Sequence, residues 1–241
     1  MREWDASGER TSVTIILDVP GGSMASRPAH FIWMLDCSGS MGVNGKIGEL
    51  NFAIREAIPE MQQAAQSNPA ASLVVRAISF ASGASWHIQE PTPVDRFTWD
   101  DVHTYGATDM GAAFRMAAAA LQTPPMPQRA LPPVLALVSD GQPTDDWRSG
   151  LRAIDDTPWG KRAVRVAVAI GDDADKSMLK EFLGNPELEP LLAKNPRQLA
   201  AAIRWMSTAV VKEASAPKIE DAAPANVSPV VPLTKDETDI W

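Results

Sequence analysis

The sequence predicts an α/β domain: a doubly wound, mostly parallel six-stranded sheet with helices on both faces and one antiparallel edge strand. Three observations point there. Short runs rich in Val and Ile alternate with segments whose apolar residues recur at helical spacing. The strongest β runs, HFIWML (His30–Leu35) and VLALVS (Val134–Ser139), are nearly apolar without alternation, as strands covered on both faces must be. Polar clusters follow both runs directly, where open α/β sheets build their ligand sites.

Taken in order, Thr11–Val19 (TSVTIILDV) is a β-type run closed by Pro20-Gly21-Gly22. It reads either as an added edge strand or, with Met24 as the natural start, as part of an extension over residues 1–23. His30–Leu35 is a central strand stopping at Asp36. Lys46–Gln66 places Ile47, Leu50, Ala53, Ile54, Ala57, Ile58 and Met61 at helical spacing, with a kink expected at Pro59 and an end at Asn68-Pro69. Ser72–Phe80 is a strand, and Ser85–Ile88 a weaker edge strand returning across Ser82-Gly83 as in a hairpin. Thr108–Leu121 is an Ala-rich helix, Val134–Ser139 a second buried strand, and Asp145–Ile154 a helix. Arg162–Ile170 is a further strand, followed by helices over Lys176–Leu183 and Pro196–Glu213. The main domain therefore spans residues 24–213. From Ala214 onward, Pro217, Pro224, Pro229 and Pro232 leave no room for a regular element, so 214–241 reads as a flexible Pro-rich acidic tail.

At 241 residues and 45% hydrophobic, the chain can bury a real core. Lys plus Arg number 22 against 30 Asp plus Glu, a net charge of −8, which disfavours nucleic acid and anionic membranes as partners. A single cysteine, Cys37, forms no internal disulfide, and three scattered histidines (His30, His87, His103) give no Cys/His zinc set. With no apolar run near the roughly 18 residues of a span and an acidic start, the expected location is the cytoplasm.

The chemistry sits in three turns. Asp36-Cys37-Ser38-Gly39-Ser40-Met41 follows the first buried strand, and the alternate residues Asp36, Ser38 and Ser40 can project to one point. Gly106-Ala107-Thr108-Asp109-Met110-Gly111 opens the Ala-rich helix, and Ser139-Asp140-Gly141-Gln142-Pro143-Thr144 follows the second buried strand. Three hydroxyls and one or two carboxylates form an all-oxygen set suited to a hard divalent ion such as Mg²⁺, with Mn²⁺ or Ca²⁺ as alternatives. The hydroxyls bring no charge, so an ion held there stays poorly neutralised and keeps a position open for an incoming carboxylate.

These motifs, D-x-S-G-S-M, then G-x-T-D-x-G, then S-D-G-x-P-T-D, resemble in order and spacing the metal-ion-dependent adhesion site of von Willebrand factor type A domains. The resemblance implies Asp36, Ser38, Ser40, Thr108 and Asp140 as metal ligands, the serines binding directly and the aspartates often through water, on a Rossmann-like fold. SDGQPTDDW (Ser139–Trp147), AIGDDAD (Ala169–Asp175) and RWMSTAVV (Arg204–Val211) are similar to the bacterial tellurite-resistance TerY group. That group implies a regulatory component working with a Ser/Thr kinase and a protein phosphatase. Some of its members carry a cysteine-rich zinc module, which this chain, with Cys37 alone, lacks.

Other polar residues have plainer readings. Asp109 reads as a first-turn helix residue favoured by the dipole, Asp145 and Asp146 as caps of the next helix, and Asp172, Asp173 and Asp175 as a solvated turn. Cys37 reads as a small buried residue. Trp241, ending TKDETDIW, has no local core to join, and it reads either as part of a disordered end or as an anchor. In the second case Asp236, Glu237 or Asp239 could offer the metal its carboxylate.

The expected function is a non-enzymatic, metal-dependent protein interaction module whose ion captures an Asp or Glu of a partner. The alternative is an adaptor for a MoxR-type AAA+ ATPase. Phosphoryl transfer with Asp36 as nucleophile is disfavoured, because Ser38 stands where a second carboxylate is needed and Lys46 reads as uncommitted and poorly placed on its helix.

Overall fold

A computed structural model describes residues 26–68, 71–172 and 174–215. One sheet of six strands runs in the order β3-β2-β1-β4-β5-β6, formed by β1 (Arg27–Asp36), β2 (Ala71–Ala81), β3 (Gly83–Pro93), β4 (Val134–Ser139), β5 (Val164–Ile170) and β6 (Leu191–Ala193). All neighbours are parallel except β2 and β3, which form an antiparallel hairpin with a register shift near Val75–Ile78. The edge strand β3 carries His87, Gln89, Glu90 and two prolines, composition that discourages pairing with another chain.

β1 lies at the centre because both of its faces are apolar. Phe31, Trp33 and Leu35 point to one side, where α1 (Lys46–Gln66) contributes Leu50, Ile54 and Met61, and α5 (Pro196–Ser215) contributes Leu199, Ile203 and Met206. Ile32 and Met34 point to the other, into a cluster with α2 (Met110–Ala120), α3 (Trp147–Asp155) and α4 (Lys176–Leu183), where Phe114 and Phe182 stack at 5.4 Å. Burying each such large side chain contributes about 1.5–3 kcal/mol before the cost of ordering it.

Several expectations are refined. The sixth strand is Leu191–Ala193, three residues that pair with β5 and are too few to show a period. Thr11–Val19 and the rest of 1–23 lie outside the described residues, as does the tail beyond Ser215 with Asp236, Glu237, Asp239 and Trp241. The last helix runs two residues past Glu213, and α1 continues through Pro59. Helices α2 and α3 cross closely at glycines: a Cβ on Gly150 would lie 2.6 Å from the Gly111 carbonyl oxygen, and one on Gly111 would lie 2.6 Å from that of Asp146. This contact seats the start of α2 against the loop after β4.

Candidate metal centre

Each parallel strand ends on the same edge of the sheet, so the turns after β1 and β4 emerge side by side, one strand apart. The turn before α2 is bound to both. Gly39 N–H donates to the Gly106 carbonyl (3.1 Å) and Tyr105 N–H to that of Cys37 (2.8 Å), tying the first turn to the second. Thr144 N–H donates to the Thr108 carbonyl (2.9 Å), while Thr108 N–H donates to the Thr144 hydroxyl (3.1 Å), tying the second to the third. Gly106 is required in its place, because φ is +62° and a Cβ would lie 2.2 Å from the Ser82 hydroxyl.

Within this frame the five expected ligands are brought together. Asp36 is fully buried; its Oδ1 accepts from Ser38 N–H (2.8 Å) and its Oδ2 from the Ser139 hydroxyl (2.6 Å). The Ser38 and Ser40 hydroxyls lie 3.0 Å apart, and Ser40 donates to Asp140 Oδ1 at 2.8 Å. The third turn closes the group at Gly141. A methyl group placed there would sit 3.5 Å from Thr108 Oγ1, 3.6 Å from Asp36 Oδ2 and 3.7 Å from Ser40 Oγ. Oxygens of the first two turns thus face one small space over the backbone of the third.

The donor set fits a hard divalent ion: the converging groups are hydroxyl and carboxylate oxygens, and the neighbouring Cys37 is buried with its thiol pushed up to about 12 by burial and by Asp36. Among the described residues there is no group of three or more His, Cys, Asp or Glu side chains disposed around a common point, so any ion here relies on the hydroxyls. Burial raises the Asp36 carboxyl above the ordinary carboxylate range, against the hydrogen bonds from Ser139 and Ser38 and with a further push from Asp140. A cation in the space would offset both the burial of the Asp36 charge and the repulsion from Asp140.

One residue corrects the sequence reading. Lys46 is neither uncommitted nor poorly placed: its Nζ donates to Asp140 Oδ2 at 2.7 Å, with both side chains buried. The chain turns back through two consecutive left-handed residues, Asn44 (φ 54°) and Gly45 (φ 73°), and so aims the first residue of α1 at the turn after β4. Sequence gave no sign of this, since Lys46 opens a helix that looks amphipathic from Ile47 on.

The plainer readings fare unevenly. Asp109 precedes α2, yet its carboxylate accepts from Gly83 N–H (2.7 Å) and the Thr144 hydroxyl (3.0 Å), joining the hairpin to the third turn. Asp145 caps α2 and not the next helix, accepting from Gly111 and Ala112 N–H at 2.8 and 2.9 Å, while Asp146 caps α3 through Ser149 N–H. Asp175 caps α4, and Asp172 pairs with Lys194 at 2.6 Å, as a solvated turn would, while Asp173 lies outside the described residues. Ser139, Thr144 and Asn51 act as supports that the sequence pattern does not mark. Asn51 of α1 is buried and accepts from Trp99 Nε1–H and Val102 N–H while donating to the Val102 carbonyl, which holds the loop leading into the second turn.

No helix among the described residues is long and apolar enough to cross a membrane. No family model matches the chain, and no curated protein matches it. Solved structures do. A von Willebrand factor type A protein from Catenulispora acidiphila is 15% identical with a TM-score of 0.55, over 79% of this chain and 43% of that one. The ArnB paralog VWA2 from Sulfolobus acidocaldarius is 16% identical with a TM-score of 0.54, over 73% and 44%. Proximal thread matrix protein 1 from the mussel byssus, solved with zinc in its metal-ion-dependent adhesion site motif, is 15% identical with a TM-score of 0.57, over 79% and 47%. The chain spans under half the length of each of these solved chains. Sheet order, the single antiparallel strand and these likenesses together establish that this chain has the fold of von Willebrand factor type A domain proteins.

Proposed function

We propose that the chain is a metal-dependent protein interaction module, without enzymatic activity, whose ion captures an Asp or Glu side chain of a partner protein. The observation that carries this reading is the convergence of Thr108 Oγ1, Asp36 Oδ2 and Ser40 Oγ on one space over Gly141. Ser38, Ser40 and Thr108 would hold the ion, with Asp36 and Asp140 supplying charge; Mg²⁺ suits the all-oxygen set, and the zinc recorded in the mussel protein's motif supports a divalent ion more generally. Bound there, the ion supplies a Lewis-acidic docking point for a carboxylate. The residues of this chain fix where that point lies: Ser139 and Ser38 N–H hold Asp36 in one rotamer, and the Thr108–Thr144 pair fixes the second turn.

Both Asp36 oxygens already accept hydrogen bonds in a buried position, which supports a supporting role for Asp36 over that of a nucleophile. The resemblance of SDGQPTDDW, AIGDDAD and RWMSTAVV to the TerY group supports a kinase or phosphatase of a stress response as the partner. Calorimetric titration of the full chain with Mg²⁺ and Mn²⁺ tests the centre. Saturable one-site binding, lost in Ser40→Ala and Thr108→Ala chains that keep their circular dichroism, is expected; no binding by the unsubstituted chain overturns the reading. Affinity capture with and without chelator then separates a kinase or phosphatase from an AAA+ ATPase.

A further inference from the structure

Lys46 is oddly placed for a lysine. It is 6% exposed, whereas lysines are almost never buried without a partner. It is also the first residue of a 21-residue helix, where the helix dipole disfavours a cation. Its Nζ meets Asp140 Oδ2 at 2.7 Å, and the other oxygen, Oδ1, accepts from Ser40. Among the described residues Asp140 is the acid that pairs with it, and that pairing explains the location. The first and third of the turns that form the candidate centre are thereby bridged by the same carboxylate that would face an ion.

From this geometry we infer that Lys46 is the resident counter-cation of Asp140, competing with a divalent ion for the charge of that carboxylate and so setting the metal affinity of the centre. The inference rests on the metal-binding reading above. Asp36, Asp140 and Lys46 together carry one net negative charge, and a divalent ion turns that into one net positive charge. Without Lys46 the two carboxylates would neutralise the ion fully and hold it more tightly, leaving less attraction for a partner's acid. Lys46 thus trades metal affinity for a cationic docking point.

The test is Mn²⁺ titration of the full chain by calorimetry, with thermal unfolding in saturating Mn²⁺ and in chelator, for the unsubstituted chain, Lys46→Met and Lys46→Arg. Lys46→Met should bind Mn²⁺ roughly tenfold or more tightly, and Lys46→Arg, which keeps the charge, within about threefold of the unsubstituted chain. Should Lys46→Met unfold in chelator and fold in Mn²⁺, the ion has replaced the ammonium and the inference stands. Equal or weaker binding by a folded Lys46→Met chain overturns the inference alone, as does a Lys46→Met chain that stays unfolded in saturating Mn²⁺. If no version of the chain binds Mn²⁺, the metal-binding reading fails and this inference falls with it.

Discussion

Two turns at the same edge of the sheet look alike in composition and behave as opposites. The turn after β4 carries Asp140, with Asp145 and Asp146 behind it; the turn after β5 carries Asp172 and Asp175. Asp140 is buried, accepts from Ser40 and Lys46, and faces the space shared with Thr108 and Asp36. Asp172 pairs with Lys194 in solvent, and Asp175 holds the first N–H groups of α4. What separates them is position: β4 adjoins β1 and its polar turn, whereas β5 lies one strand further out, beside the short β6. Acidic residues become a candidate site when neighbouring strands bring them together out of water, not because they are numerous.

Substitutions at the two turns should therefore differ in size, and the largest effect belongs to Asp140. Asp140→Ala leaves the Lys46 ammonium buried without its partner, so urea unfolding should show a loss of about 3–5 kcal/mol, together with loss of Mn²⁺ binding. A loss below about 1 kcal/mol would mean that the pair is not sequestered and would erase the contrast.

The acid limb of stability sharpens the comparison, because buried Asp36 does not feed it. His30, on β1 at the end away from the site, is buried with its Nε2 unpartnered, and its pKa is lowered to about 4 by burial and then by Arg76. The unfolded chain takes up the proton near pH 6.5 and the folded one only near 4, so stability is present above 6.5 and is lost as pH falls between the two, by up to about 3 kcal/mol. Asp36 works in the opposite sense: its raised carboxyl is protonated earlier in the fold, so acidification relieves a cost there. Unfolding of His30→Gln measured across pH 4–7 should lack most of the acid loss; an unchanged slope would transfer it to other groups.

Gly111→Ala probes the joint that seats the second turn. The added methyl would lie 2.6 Å from the Asp146 carbonyl oxygen, so about 1–3 kcal/mol should be lost in urea unfolding, with weaker Mn²⁺ binding. Smaller again, Asp175→Ala removes a helix cap and should cost about 1 kcal/mol. Since hydrogen bonds from Ser177 and Met178 hold that carboxyl below its usual range, its contribution is present at neutral pH and fades as pH falls through the lowered value. Asp172→Ala, at a solvent-exposed ion pair, should leave both urea unfolding and Mn²⁺ binding unchanged; an effect on the metal would make the second acidic turn part of the site.

Much of this was legible in the residues. Apolar runs such as His30–Leu35 are long enough to identify central strands, and the order of the elements predicts a parallel sheet whose polar turns share one edge. Asp36, Ser38, Ser40, Thr108 and Asp140 stood out because hydroxyls and carboxylates cluster directly after those strands. By contrast, Leu191–Ala193 is too short for any period to reveal, and it becomes a strand only because β5 offers it backbone partners. Asp145 is adjacent in sequence to α3 yet caps α2, since the Gly111–Gly150 contact brings a distant helix start nearer than the local one.

Local pattern, then, determined which segments are strands and helices and which turns are polar, because hydrophobic periodicity and chain-breaking residues act over a few positions. Only the tertiary structure decided that Lys46, 94 residues away in sequence, neutralises Asp140. Charge pairing is read through space: a lysine that opens a helix is solvated by default, and it becomes half of a buried pair only when the fold removes water from around it and sets a carboxylate within reach.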